Sequence, residues 1–118
     1  MRREEIKRMM DEVRATLGIK DKIKLEIRPM KTKAASISLD KGVLRINRNL
    51  LPYLDEDAIH YLILHELLHC KRNSIYHGNG FYEEIEKYTE RDRIKRAEDR
   101  IIQGLLILNG KRSKKEWD

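Results

Sequence analysis

The chain has 118 residues, of which 40% are apolar and 39% charged, and its 26 basic and 20 acidic side chains leave a net charge of +6. That length suits one domain with one modest core. A single cysteine, Cys70, excludes an intrachain disulfide. The charged start MRREEIKRMMDEV carries no apolar leader core, and no apolar run reaches the length of a membrane span. The expectation is a cytoplasmic protein without a membrane partner. The excess charge gathers at the ends, at Arg2, Arg3, Lys7 and Arg8 and at Lys111, Arg112, Lys114 and Lys115. It permits weak contact with nucleic acid, but a solvated surface is the simpler reading. One glutamine among abundant Lys, Glu, Arg, Ile and Leu leans toward a thermophile composition.

Residues 3–17 read as an amphipathic helix, with Ile6, Met9, Met10, Val13 and Leu17 at helical spacing and Gly18 as its stop. KIKLEIRP, residues 22–29, alternates and reads as a strand. AASISLDKGVLRIN then reads as a hairpin, with Gly42 free to take positive φ after Asp40-Lys41. Pro52 and Asp55 open the next element, and Asp55 can N-cap a helix over 56–72 that Asn73 and Ser74 end. After the short loop IYHGNG, residues 81–109 read as helical in one piece or two. Gly110 stops them ahead of a mobile tail, KRSKKEWD. The predicted class is α+β: an N-terminal helix, a small, mostly antiparallel three-stranded sheet, a central helix and C-terminal helices.

The stretch HYLILHELLHCKRNSIYHGNGF, residues 60–81, holds all four histidines. His65 and His69 are four apart, so they share a helix face with Cβ atoms about 5–6 Å apart. That lets both imidazoles reach one zinc ion at about 2.0–2.1 Å. Glu66 is turned by about 100° from His65. It can flank the metal, hold an attacking water and take its proton, which is the division of labour in HExxH. Ile59, Leu62, Ile63, Leu64, Leu67 and Leu68 make the helix apolar on most sides, and hence central. A buried carboxylate and imidazoles without partners would be costly, and a metal removes that cost.

Catalytic zinc usually takes three protein ligands. His77, in a loop with Gly78 and Gly80, is the leading third donor, and Glu83 and Glu84 are its competitors. His60 lies about 140° from His65 on the same helix and reads as a partly exposed or hydrogen-bonded side chain. Cys70 reads as a small buried hydrophobe and Phe81 as a core anchor for the loop. Tyr76, Tyr82 and Tyr88 read as core, with an oxyanion donor as the rarer alternative.

LHELLHCKRNSIYHGNGF resembles the active-site segment of small zincin-type metallopeptidases, the YgjP-like, WLM and SprT-like families. These carry HExxH and then a histidine in an H-G/S-x-x-F/W pattern, which His77-Gly78-Asn79-Gly80-Phe81 fits. Upstream, Ile46-Asn47-Arg48-Asn49-Leu50-Leu51 is similar to the I-x-x-N-x-x-L segment of the YgjP-like order, with its leucine one position early at Leu51. The chain has Ala35-Ser36-Ile37-Ser38 where those relatives have Trp-Gly-Ser. Size and layout resemble the archaeal minigluzincins over roughly residues 20–109.

The resemblance implies a single zincin-like domain over 1–118, with Zn2+ on His65 and His69 and Glu66 as general base. The HGxxF pattern implies His77 as the third ligand, whereas the gluzincin label implies a glutamate, here Glu84. It also implies a latent, zymogen-like state in which a C-terminal segment, with Trp117 and Asp118, blocks the cleft of its own or a neighbouring molecule, the latter as a homodimer. The expected activity is peptide hydrolysis, with an extended substrate added to the strand around 34–39. The rival expectations are a DNA-associated SprT-like factor and a non-catalytic zinc domain with four protein ligands.

Overall fold

A computed structural model describes residues 1–78 and 80–117, with side chains described as far as residue 110. Helix α1 (Arg3–Thr16) is followed by strands β1 (Lys24–Arg28), β2 (Ala35–Ser38) and β3 (Val43–Asn47) and a 3-10 turn (Leu51–Tyr53). Helices α2 (Glu56–Arg72), α3 (Phe81–Ile85) and α4 (Arg91–Trp117) complete the chain. The α+β class is as expected. α1 buries Ile6, Met10 and Val13, and Gly18 leaves the helix at φ +73°.

The three strands form a mixed sheet in the order β1-β3-β2, not the mostly antiparallel one that alternation suggests. The β2–β3 hairpin is antiparallel, and the Gly42 N–H donates to the Ser38 carbonyl at 2.8 Å with Gly42 at φ +64°. β1, however, lies parallel to β3, with Leu25 opposite Leu44 and Ile27 opposite Ile46. β3 is buried at Val43, Leu44, Ile46 and Asn47, so it takes the centre. The chain after β1 must then cross to the far edge before turning back. A period-two pattern reports which face is buried, and nothing in it names the neighbour or its direction.

That crossing is held by Asn47, which is fully buried. Its Oδ1 accepts from the N–H groups of Met30 (3.1 Å) and Asn49 (3.0 Å). Its Nδ2 donates to the carbonyls of Met30 (3.1 Å) and Lys33 (3.0 Å). All four hydrogen bonds available to an amide are thus made to backbone.

α2 is the centre of the fold and packs against α1, α3, α4, β2 and β3. Ile59, Leu62, Ile63, Leu64, Leu67 and Leu68 are all buried along it. At about 1.5–3 kcal/mol per fully buried aliphatic side chain, these six contribute on the order of 10 kcal/mol before chain entropy. That outweighs the cost of carrying Glu66 and His69 into the interior. α4 closes over the 3-10 turn at Gly104, where a Cβ would come within 2.7 Å of Leu50 Cδ1.

The expected helix over 81–109 is two helices, α3 and α4, and α4 runs through Gly110 to Trp117. One interior glycine costs about 1 kcal/mol, too little to stop a helix followed by Lys, Arg and Glu. The expected flexible or autoinhibitory tail concerns side chains 111–118, which lie outside the described residues.

Replacing Asn47 by Leu keeps the volume but strands four backbone groups. The expected loss is about 3 kcal/mol or more in urea unfolding. A loss under about 0.5 kcal/mol would contradict the role given to this side chain.

Candidate functional site

The site is built from both ends of α2 and the loop after it. Asp55 caps the helix as expected, its Oδ1 accepting from the Ala58 N–H at 2.9 Å. At the other end Asn73 adopts the left-handed conformation at φ 51°, and the Ser74 N–H donates to the His69 carbonyl at 3.1 Å. This turns the chain back over the helix. Gly80 reverses it again at φ +80° to begin α3, while Gly78 is not among the positive-φ residues.

The turn carries His77 onto the face shared by His65 and His69. His77 Nε2 lies 3.0 Å from His69 Nε2 and 3.1 Å from His65 Nε2. One ring nitrogen from each of the three falls within 4.8 Å of the others. His69 Nδ1 is 2.8 Å from the Ser74 carbonyl, and as the donor there it leaves its Nε2 lone pair facing the cluster. Burial lowers the pKa of His69, partly offset by that bond. The shift favours the neutral ring, the form a metal requires. Three imidazole nitrogens aimed at one point are a transition-metal donor set. Among the described residues no other such cluster of His, Cys, Asp or Glu occurs.

Phe81 supports all three rings. It is stacked on His69 with centroids 4.5 Å apart, and edge-on to His65 at 5.2 Å and His77 at 5.0 Å. It is 1% exposed, so the expected core anchor is also the floor beneath the histidines. Tyr82 stacks on the outer face of His77, with centroids 5.9 Å apart. At 47% exposure it is not the core residue expected, nor is Tyr76 at 76%. Tyr88 packs partly buried against the core and accepts from Lys71 Nζ. His60 and Cys70 are partly buried, and burial lowers the first pKa and raises the second.

Glu66 is buried beside the cluster, its Oε1 3.6 Å from His65 Nδ1, too far for a hydrogen bond. Glu66 and His65 face a cavity of about 240 Å³ bounded by α2, α4 and the start of β2. A larger hollow of about 480 Å³ runs along α1 between charged side chains, away from the histidines.

Glu84, the alternative ligand read from sequence, is engaged elsewhere. Its Oε2 accepts from Lys71 Nζ at 2.7 Å and its Oε1 from Arg72 Nη1 at 2.9 Å. These bonds clamp α3 to the end of α2. Glu83 is exposed. The signal for this role was in the sequence, since Lys71-Arg72 closes α2 in the last turn before the loop. Sequence alone does not say which of two adjacent glutamates turns inward.

The Lys71 hydrogen bond is the largest cause holding Glu84 below the ordinary carboxylate value of 4.5; burial opposes it and Arg72 adds to it. A depressed carboxylate stabilises the fold above its unfolded pKa and loses that contribution as pH falls through the folded value. The expected outcome is that Glu84→Gln costs about 1 kcal/mol at neutral pH and little in strong acid. Equal cost at both would contradict the clamp.

Comparison with known proteins agrees with this geometry. The family model described as YgjP-like, metallopeptidase domain, matches residues 2–100. An uncharacterized protein of Methanocaldococcus jannaschii is 39% identical over 104 residues, covering 88% of this chain and 94% of its own. Among solved structures, the metallopeptidase zymogen jannalysin of M. jannaschii superposes with a TM-score of 0.76 at 41% identity, over 85% of this chain and 96% of its own. The metallopeptidase zymogen abylysin of Pyrococcus abyssi does so with a TM-score of 0.76 at 32% identity, over 86% and 95%. With a family match across most of its length and the same fold, the chain belongs to the YgjP-like metallopeptidases.

Proposed function

We propose that this metallopeptidase is zinc-dependent, with His65, His69 and His77 as metal ligands and Glu66 as general base. The observation that carries the reading is the convergence of three Nε2 atoms, two pairs of them 3.0 and 3.1 Å apart. Nitrogens bound tetrahedrally at about 2.0–2.1 Å would be ~3.3 Å apart, so a small adjustment suffices. Glu84 is set aside as ligand because both its oxygens are held by cations. A closed structural site would need a fourth protein ligand, and among the described residues the donor group is the three histidines alone. The rival expectation of DNA contact gains no support from the family match, which is to a metallopeptidase domain.

When bound, zinc supplies Lewis-acid polarisation of the scissile carbonyl and a lower pKa for the attacking water. Glu66 takes the proton of that water and passes it to the leaving amine. Burial beside the cavity keeps bulk water from competing for this carboxylate. β2 is an edge strand packed on α2, and Ala34 and Ala35 lie at the rim of the cavity. An extended peptide paired to that edge would pass the metal with its backbone fixed and its sequence loosely specified. Jannalysin and abylysin are described as zymogens. By that likeness the chain is made latent, with residues 111–118 as the blocking segment.

The test is peptide hydrolysis and zinc content of wild type, Glu66→Gln and a chain lacking residues 111–118. The expected result is zinc in all three, more hydrolysis in the shortened chain, and at least about a hundredfold less in Glu66→Gln. Hydrolysis retained by Glu66→Gln would refute its role, and no gain on shortening would refute latency through the tail.

A further inference from the structure

One carboxylate in the cavity is unused by the proposed chemistry. Glu98, on α4, faces the same 240 Å³ space as His65 and Glu66. Its Oε2 accepts a hydrogen bond from the Tyr61 hydroxyl at 3.3 Å. Tyr61 is 6% exposed. The bond from its hydroxyl ties α2 to α4 and holds the carboxylate in place across two helices.

Glu98 is also conspicuous for the cation it lacks. Glu26, Glu84 and Glu86 each pair with Lys or Arg, yet among the described residues Glu98 is in no ion pair, in a chain with 26 basic side chains. It is only partly exposed, so water does not fully replace a partner. The wall beside it is aliphatic, formed by Ile101 and by Ile102, which is 54% exposed. An apolar channel ending in one oriented carboxylate fits a cation on an aliphatic stem, the stem along the isoleucines and the charge on the acid.

We propose that this cavity is a specificity pocket for a basic group of the peptide substrate, with Glu98 as its counter-charge and Tyr61 as a positioning residue. The inference rests on the zinc peptidase reading. The cation is the side chain of a lysine or arginine next to the scissile bond, or the α-ammonium of a peptide that begins there. The isoleucine wall favours the side chain, because only it brings a stem to cover.

Three hydroxamates titrated calorimetrically into the zinc-loaded full chain test it without requiring turnover. N-acetyl-lysine hydroxamate carries the side-chain cation, norleucine hydroxamate the α-ammonium, and N-acetyl-norleucine hydroxamate neither. The lysine probe is expected to bind about tenfold tighter than the uncharged one, the scale of a charge-assisted hydrogen bond. Glu98→Gln, which can still accept from Tyr61, should bring the two within about twofold, and Tyr61→Phe should narrow the gap part of the way. A gain for free-amine norleucine instead, lost in Glu98→Gln, supports the cation pocket with the peptide N-terminus as its source. Equal binding of all three, or a preference that survives Glu98→Gln, overturns the proposal. If no hydroxamate binds either the zinc-loaded full chain or the zinc-loaded chain lacking residues 111–118, the metal-centre reading fails and the pocket falls with it.

Discussion

The rest of the structure serves one constraint: three imidazole nitrogens must be held together at one point. His69 and His77 approach to 3.0 Å, and His77 and His65 to 3.1 Å. Protonating all three would set like charges against one another in a partly desolvated site, where Coulomb repulsion is poorly screened. Burial shifts His69 toward its neutral form, and the Ser74 carbonyl, accepting from its Nδ1–H, fixes its tautomer. The same turn that provides this carbonyl delivers His77. Tautomer, ring orientation and third donor therefore follow from one chain reversal at Asn73.

The surrounding structure holds that reversal still. Phe81 lies under all three rings, and α3, on which it sits, is tied to α2 by the Glu84 clamp. α2 is fixed by aliphatic burial against nearly every other element. Asn47 organises the crossing that puts β2, and not β1, beside α2 and the cavity. Each support is remote from the reacting atoms, yet each sets the position of a donor or of the peptide-binding edge. This fits the general requirement that a site be held by neighbours whose own conformations are fixed.

The parts legible in the sequence were those carried by local spacing. The i,i+4 histidines, the Asp55 cap and the Gly42 hairpin each need only a few consecutive residues, and each is present where expected. What was not legible depends on pairing between distant segments. The parallel β1–β3 match, the bonds of Asn47 to Met30 and Lys33 and the Tyr61–Glu98 bond join residues 14 to 37 positions apart. Helix α4 misleads for a different reason: Gly110 has the look of a stop, but the helix-forming residues beyond it outweigh the cost of one glycine. Glu84 reads in sequence as a competing ligand, whereas in the structure both its oxygens are held by Lys71 and Arg72 as a clamp behind the histidines.

The most direct test of the metal centre is X-ray absorption at the zinc edge on the zinc-loaded protein, with His77→Ala alongside. The account predicts three imidazole nitrogens at about 2.0–2.1 Å and one further light ligand in wild type, falling to two imidazoles in the variant. Two imidazoles and a carboxylate in wild type, unchanged by His77→Ala, would contradict it.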